Sequence, residues 1–280
     1  MNSINSNGTS NSAASPYSGD VLGQLGSLVV KIADTKEEVS AALRLRHKVF
    51  FASRSDQDNS AIEGVDEDRY DEYCDHLIVI DREQDDPPEG RIVATYRLMS
   101  ARQARHAGGF YTQGEFDVDS LVSRHPNLNF LELGRSCVLP EYRSKRTIEL
   151  LWHGSWAYVR KHGFDVMFGC ASLEGTDIRV HGQALKFLFE NARADADWEV
   201  KAVGERIGPE ALLVESLDPK AAIRVLPPLI KGYLRLGAMF AGEAVIDRQF
   251  GSIDVLVLLP VSRLNPRYVN YYGENAERHA

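Results

Sequence analysis

The sequence predicts one mixed α/β (α+β) domain in which a central sheet is flanked by helices. Three observations carry this. Segments of strand character and segments of helical spacing interleave as strand, helix, hairpin strands, strand, helix, strand, helix and further strands, an order that resolves into packed layers. The 280 residues, 44% of them hydrophobic, suffice for the core of one large domain. No break in composition and no internal repeat divides the chain. The domain is expected over residues 28–273, between an N-terminal tail (1–27) and a short C-terminal tail (274–280).

Residues 1–27 are rich in Ser, Asn and Gly, with Asp20 their single charge. Such a segment buries too little apolar surface to offset its ordering entropy, so it is expected to be disordered. A strand over Leu28–Ala33 follows, and Thr35 is a plausible cap for a helix from Glu37 to about Phe51. Val39, Ala42, Leu43, Leu45, Val49 and Phe50 fall there near helical spacing. Residues 52–75 are acidic and loop-like. His76–Arg82 and Arg91–Met99 flank Asp85-Asp86-Pro87-Pro88-Glu89-Gly90, which reads as a hairpin. Asn129–Leu139 is a strand stopped by Pro140. A helix from about Arg146 to His162 carries Leu150, Leu151, Trp152, Trp156 and Val159, with Gly163 as its stop. Asp165–Ser172 reads as an apolar strand and Asp177–Ala192 as an amphipathic helix. The last third gives a strand, a short helix between Pro227-Pro228 and Gly237, and strands at Glu243–Asp247 and Ile253–Val261.

Composition excludes several classes. Forty acidic residues against 32 basic ones leave a formal charge of −8, which argues against a broad basic face for nucleic acid. Cys74, Cys137 and Cys170 are too few and too scattered for a disulfide framework or a four-ligand zinc site, and a reducing, cytoplasmic compartment fits them. No run reaches the roughly 18 apolar residues of a membrane span, and no secretory pattern opens the chain. The eight histidines show no metal-ligand spacing, so no metal is expected. The helix at Pro227–Gly237, with Lys231 and Arg235, reads as a core helix with solvated cations, or as one lying at a membrane surface.

Three features bear on chemistry. In Pro140-Glu-Tyr-Arg143-Ser-Lys145-Arg146-Thr147 a strand runs into a helix. The turn sets Arg143, Lys145 and Arg146 beside free backbone N–H groups, a combination that suits phosphate or remains a solvated basic turn. Glu132 lies in an apolar strand, where a carboxylate must be paired or poised as a base. Arg135 is its nearest candidate partner, provided that Gly134 permits a bulge turning both side chains inward. The third is a dispersed set: Arg46 and Phe50 on the first helix, Asp68 and Asp71 in the acidic loop, and Arg97 on a strand. Singly each suits a surface or core role. Together they could hold a zwitterionic amino acid, arginines taking its carboxylate and aspartates its ammonium. His76-Leu-Ile-Val-Ile-Asp81 matches the His-x4-Asp pattern of glycerolipid acyltransferases, but in a strand the two would point to opposite faces about 17 Å apart at ~3.4 Å per residue, so no dyad is expected. Cys137 and Cys170 read as core residues, and the acidic loop should raise the Cys74 thiol pKa.

Glu132-Leu-Gly-Arg135-Ser-Cys-Val, Pro140–Thr147, Phe168-Gly-Cys-Ala-Ser-Leu-Glu-Gly-Thr-Asp177 and Leu226–Gly237 together resemble the bacterial L-ornithine N-alpha-acyltransferases, over about residues 29–273. More distantly, Arg46-x-x-Val49-Phe50, Asp68-x-x-Asp71, Arg97 and Glu132-x-x-Arg135 resemble acyl-homoserine-lactone synthases. The resemblance implies a GNAT-like fold and transfer of a (3-hydroxy)fatty acyl group from acyl carrier protein to the amine of ornithine, giving lyso-ornithine lipid. It makes Glu132 the base, with Arg46, Phe50, Asp68, Asp71, Arg97 and Arg135 shaping the substrate site. Acetyl-CoA-using relatives carry Arg/Gln-x-x-Gly-x-Gly/Ala. Here the run is Arg143-Ser-Lys-Arg146-Thr-Ile148, without the glycines that let backbone approach a pyrophosphate, which favours a carrier protein docked on Arg143, Lys145 and Arg146. No cofactor is implied beyond the acyl-donor substrate, and contact with the inner membrane is expected to be peripheral at most. Other amino acids or S-adenosylmethionine are alternative acceptors, and a non-catalytic acyl-carrier-binding module is the alternative of a different class.

Overall fold

A computed structural model describes residues 21–51, 64–84 and 91–267. Residues 1–20 of the expected tail, the expected turn at 85–90 and the C-terminal tail lie outside the described residues. Sixteen elements follow in order: β1 (Val21–Leu25), β2 (Leu28–Ile32), α1 (Lys36–Phe51), β3 (Asp75–Asp81), β4 (Arg91–Ser100), α2 (Ala101–Ala107), α3 (Val118–Arg124), β5 (Phe130–Val138), α4 (Lys145–His162), β6 (Val166–Glu174), α5 (Ile178–Asn191), β7 (Arg206–Ile207), α6 (Pro219–Val225), α7 (Pro228–Leu236), β8 (Met239–Asp247) and β9 (Ser252–Pro260).

The nine strands form a single sheet in the order β1-β2-β3-β4-β5-β6-β9-β8-β7. Every neighbour is antiparallel except β5 and β6, which are parallel. Parallel strands need a crossover, and α4 is that connection. Its ends follow the sequence. Ser144 caps the first turn by accepting the Thr147 N–H, and Gly163 closes the last one at φ +65°. Thr35 accepts the Glu38 N–H at the start of α1 as expected.

Alternation divides the strands between the two sheet faces. Leu77 and Val79 of β3, Leu131 and Leu133 of β5 and Met167 of β6 join the main core with Leu150, Leu151 and Tyr158 of α4 and Leu185 of α5. Phe130 and Phe168, on the opposite face, join Ala104 and Ala107 of α2, Phe110, Phe116 and Leu121. Glu132, two residues beyond Phe130, faces that second side.

Two expectations are corrected. The disordered tail does not extend to residue 27: Val21–Leu25 pairs with β2, and Gly26 at φ +66° supplies the turn of a two-residue hairpin. Three seven-residue helices, α2, α3 and α6, occupy stretches without an assigned element. They are too short for a periodic signal, yet each has its own cap: Ser100 with Gln103 as a capping box, Asp117, and Asp218 before Pro219.

Candidate active site

The site lies where β5 and β6 part. They pair only over Phe130–Glu132 against Val166–Phe168, then diverge. At the apex a Cβ on Gly169 would sit 2.1 Å from the Leu133 carbonyl oxygen, so only glycine allows this approach. Beyond it opens a cavity of about 870 Å³ lined by Gly134, Arg135 and Ser136 on one arm and Cys170, Ala171 and Ser172 on the other. Glu132, Arg97, Phe50, Phe250, Tyr111 and Arg143 also line it.

Glu132 is buried in this wall. Its carboxylate accepts backbone N–H groups from Tyr111 (3.0 Å) and Thr112 (2.7 Å), the first residues of a 3-10 turn. Burial raises its pKa above the ordinary value, against the opposing effect of those donors and the Thr112 hydroxyl. A buried carboxylate with raised basicity, held by two amides and facing a cavity, is equipped to take a proton. Arg135 is not its partner, contrary to the sequence reading. A bulge does form, but at Arg135–Ser136: Gly134 opposes Arg97 while Cys137 already opposes Thr95. Arg135 sits at φ +51°, alone among the described non-glycine residues in the left-handed region. There its guanidinium lies 4.5 Å from the Tyr111 ring centre and 4.8 Å from that of Phe250, and reaches Asp66 (3.3 Å) and Asp68 (3.1 Å).

The dispersed Arg and Asp residues do converge, but largely upon one another. Arg46 is fully buried. It donates to Asp66 at 2.7 Å and to both oxygens of Asp71, at 2.6 and 3.1 Å. Arg97 donates to Asp68 (2.8 Å) and Asp71 (3.2 Å). Burial alone would raise the Asp71 carboxyl, but Arg46 and Arg97 hold it below its usual value. Asp68 and Asp71 are thus engaged in holding arginines and are not among the cavity-lining residues. An ammonium at these aspartates, the role expected of them, would share them with Arg46, Arg97 and Arg135. Arg46 and Asp71 act as a buried brace, while Arg97, Arg135 and Phe50 reach the cavity wall. Phe50 meets Phe250 edge-on at 5.7 Å.

Arg143, Lys145 and Arg146 are exposed at the start of α4. Only Arg143 reaches the cavity, its Nε donating to the Val138 carbonyl at 3.2 Å. Lys145 pairs with Glu149 on the helix surface at 3.3 Å. The rejected pair stays apart: His76 Nε2 meets the Asp71 carbonyl (3.1 Å), whereas Asp81 accepts the Tyr142 hydroxyl (2.8 Å). Cys74 is pushed up to about 12, chiefly by burial. Trp152 packs edge-on against Tyr233, as expected of a packing residue. No helix among the described residues is long and apolar enough to cross a membrane.

Sequence reasoning missed the turn at Tyr111–Thr112, the brace residue Asp66, the cavity-lining aromatic Phe250, and a second acidic group. Glu115, Asp247 and Asp254 bring one carboxylate oxygen each to within 4.8 Å of the others. Asp254 carried the readable signal: it is the single charge in its strand, flanked by Ile253 and Val255–Leu259, which are apolar and buried.

A family model described as an acetyltransferase (GNAT) domain matches residues 45–153. The L-ornithine N(alpha)-acyltransferase of Brucella abortus (strain 2308) is 49% identical over 261 residues, covering 92% of this chain and 93% of its own. That of Rhizobium meliloti (strain 1021) is 46% identical over 268 residues, covering 95% and 90%. Among solved structures, an N-acyl amino acid synthase from uncultured soil microbes aligns at TM-score 0.46 and 12% identity, over 90% of this chain and 98% of that one. The matched domain model agrees with the GNAT-like fold that the resemblance implied.

Proposed function

The chain belongs to the L-ornithine N(alpha)-acyltransferase family, and on that premise we propose that it moves a (3-hydroxy)fatty acyl group from acyl carrier protein to the α-amine of L-ornithine. The product is an N-acylated ornithine, a lyso-ornithine lipid. The observation that carries this reading is the buried, cavity-facing Glu132 at the point where β5 leaves β6.

The α-ammonium of the acceptor has no lone pair until it loses a proton, and in peptides such groups titrate at about 7.7–8.0. Glu132, its basicity raised by burial, receives that proton directly or through one water. Arg135 and Arg97 hold the α-carboxylate beside it, while Asp66, Asp68 and Asp71 hold the two arginines. The amine nitrogen attacks the thioester carbonyl carbon and the carbonyl pair moves onto oxygen, facing backbone N–H groups of β5 beyond its pairing with β6. Collapse breaks the C–S bond, and the second proton shed by the nitrogen as it becomes the amide goes to the departing carrier thiolate. A thioester is already activated, so this transfer calls for no metal or redox cofactor.

Support for a carrier protein as donor comes from the exposed Arg143, Lys145 and Arg146, which suit an acidic partner. Their turn also lacks the glycines that a pyrophosphate needs. The test is to incubate the protein with 3-hydroxyacyl carrier protein and a panel of ornithine, glycine, glutamine and S-adenosylmethionine, and to identify products by mass spectrometry. N-acylornithine as the main product is expected. Absence of transfer, or preference for another acceptor, overturns the reading.

A further inference from the structure

The cavity has a second charged end that the acyl-transfer chemistry does not use. Asp247 and Asp254 line it, and Glu115, just past the 3-10 turn that holds Glu132, completes a triad of carboxylates within 4.8 Å. Strand register assembles it. Asp254 lies opposite Ser172 of β6, and Asp247 lies opposite Ser252 at the next outward position on the same face. The triad adjoins the reactive end. Glu132 accepts the Thr112 N–H, the Thr112 hydroxyl lies 3.9 Å from Cys170 Sγ, and Cys170 in turn faces Glu115.

The triad differs from the aspartates of the arginine brace in one respect: the nearby Arg135 lowers the Glu115 and Asp254 carboxyls only from a distance, without an ion pair. Among the described residues, no lysine or arginine forms an ion pair with Glu115, Asp247 or Asp254, while Arg135 spends its ion pairs on Asp66 and Asp68. Its neutral partners are few. Asp254, only 6% exposed, accepts the Ser252 hydroxyl at 2.9 Å. Asp247 accepts the backbone N–H groups of Gln249 and Phe250. A separate observation points to a missing donor: Glu115 Oε2 is sealed from solvent and has no hydrogen-bond partner. Buried polar atoms are rarely left so, and an unsatisfied one costs about 1–3 kcal/mol. Burial and the neighbouring Asp254 push the Glu115 carboxyl up to about 8, so a cation arriving there would restore its charge.

We propose that Glu115, Asp247 and Asp254 bind the distal ammonium of the acceptor amino acid and thereby set the preference for a dibasic acceptor over a neutral one. An ammonium has three N–H donors, matching three carboxylates. In ornithine it lies roughly 6 Å from the α-nitrogen by ordinary covalent geometry, one side chain's length. The proposal rests on the reading that the α-amine and α-carboxylate are held by Glu132 and Arg135. A neutral side chain in this place leaves the partly buried triad without an ion-pair partner, the situation in which enzymes discriminate most strongly.

The test compares ornithine with norvaline, its counterpart lacking the terminal nitrogen, as acceptors for wild type, Glu115→Gln and Asp254→Asn with one acyl donor. Wild type is expected to favour ornithine by about 100-fold or more in kcat/KM. Each variant should lower that ratio by at least about 10-fold, mainly through the ornithine KM. Circular dichroism checks folding, and Asp247→Asn, at the outer edge of the triad, carries the same comparison should the buried variants unfold. A ratio within about three-fold of wild type in the folded variants overturns the proposal. So does Mg²⁺ or Ca²⁺ that binds wild type in calorimetry, competes with ornithine and is lost in Glu115→Gln, since the triad would then be a metal site. Acylation of norvaline but not ornithine by wild type also overturns it, while leaving acyl transfer intact. No transfer to either acceptor removes the underlying reading and the proposal with it.

Discussion

Replacing Gly169 with alanine should damage the active site while adding a single methyl group. The new Cβ would sit 2.1 Å from the Leu133 carbonyl oxygen, about 1.2 Å inside the shortest ordinary C···O contact of ~3.3 Å. Both groups are backbone or rigidly attached to it, so no side chain can turn away. Relief requires β5 and β6 to separate at the apex of their divergence, where Glu132 is placed. Overpacking of this kind costs about 1–3 kcal/mol, or a melting point lower by roughly 2–12 °C for a domain near this size. A displacement of about 1 Å between a base and its substrate costs on the order of 100-fold in rate. Gly232→Ala is the matched control: a Cβ there meets nothing within 4 Å in the middle of α7, and alanine should stabilise that helix by about 0.5–1 kcal/mol. Thermal unfolding by circular dichroism and initial rates of acyl transfer read both effects. Equal melting points and equal rates for the two variants would show that the β5–β6 apex does not position the site.

Asp71→Asn should cost about 3–5 kcal/mol in urea unfolding at neutral pH, because it leaves the fully buried Arg46 with Asp66 alone. The folded-state Asp71 carboxyl is lowered, so its stabilisation is present above the unfolded-state value and is lost as pH falls through the lowered one. The gap between wild type and variant should therefore narrow in acid, and a gap independent of pH would contradict the brace. Replacing Arg143, Lys145 and Arg146 together with alanine should raise the KM for acyl carrier protein about 10-fold at low salt and flatten its salt dependence, with the ornithine KM little changed. An unchanged carrier-protein KM would place docking elsewhere.

How much of this was legible in sequence depended on element length. The long helices α1, α4 and α5 show both periodicity and caps, and the strands β3, β4, β6 and β9 are apolar runs with clear stops. The short helices α2, α3 and α6 span about two turns each, too few for a pattern, although Ser100-x-x-Gln103 is a readable capping box. The Gly26-Ser27 hairpin turn was hidden by a polar neighbourhood that suggests disorder. At the site, Glu132 was legible because an acid in an apolar strand demands a reason, and Asp254 offered the same signal two strands away in the sheet. What sequence could not show was pairing. Arg46, Arg97 and Arg135 come from three elements, and only the folded chain reveals that they share Asp66, Asp68 and Asp71. The bulge predicted at Gly134 fell one residue later, where Arg135 itself takes the left-handed conformation, and so turned its guanidinium to the acidic loop instead of to Glu132.

The role of Glu132 is tested most directly by the pH dependence of kcat/KM for acyl transfer to ornithine in wild type and Glu132→Gln. The base must be ionised, and burial holds its carboxyl above the ordinary value, so wild-type activity should climb with rising pH along a limb displaced upward from the normal carboxylate range. The amide variant should lose about 100- to 10,000-fold, and that limb with it, while still binding carrier protein. A variant that turns over near the wild-type rate, or keeps the same limb, would mean that the proton goes elsewhere.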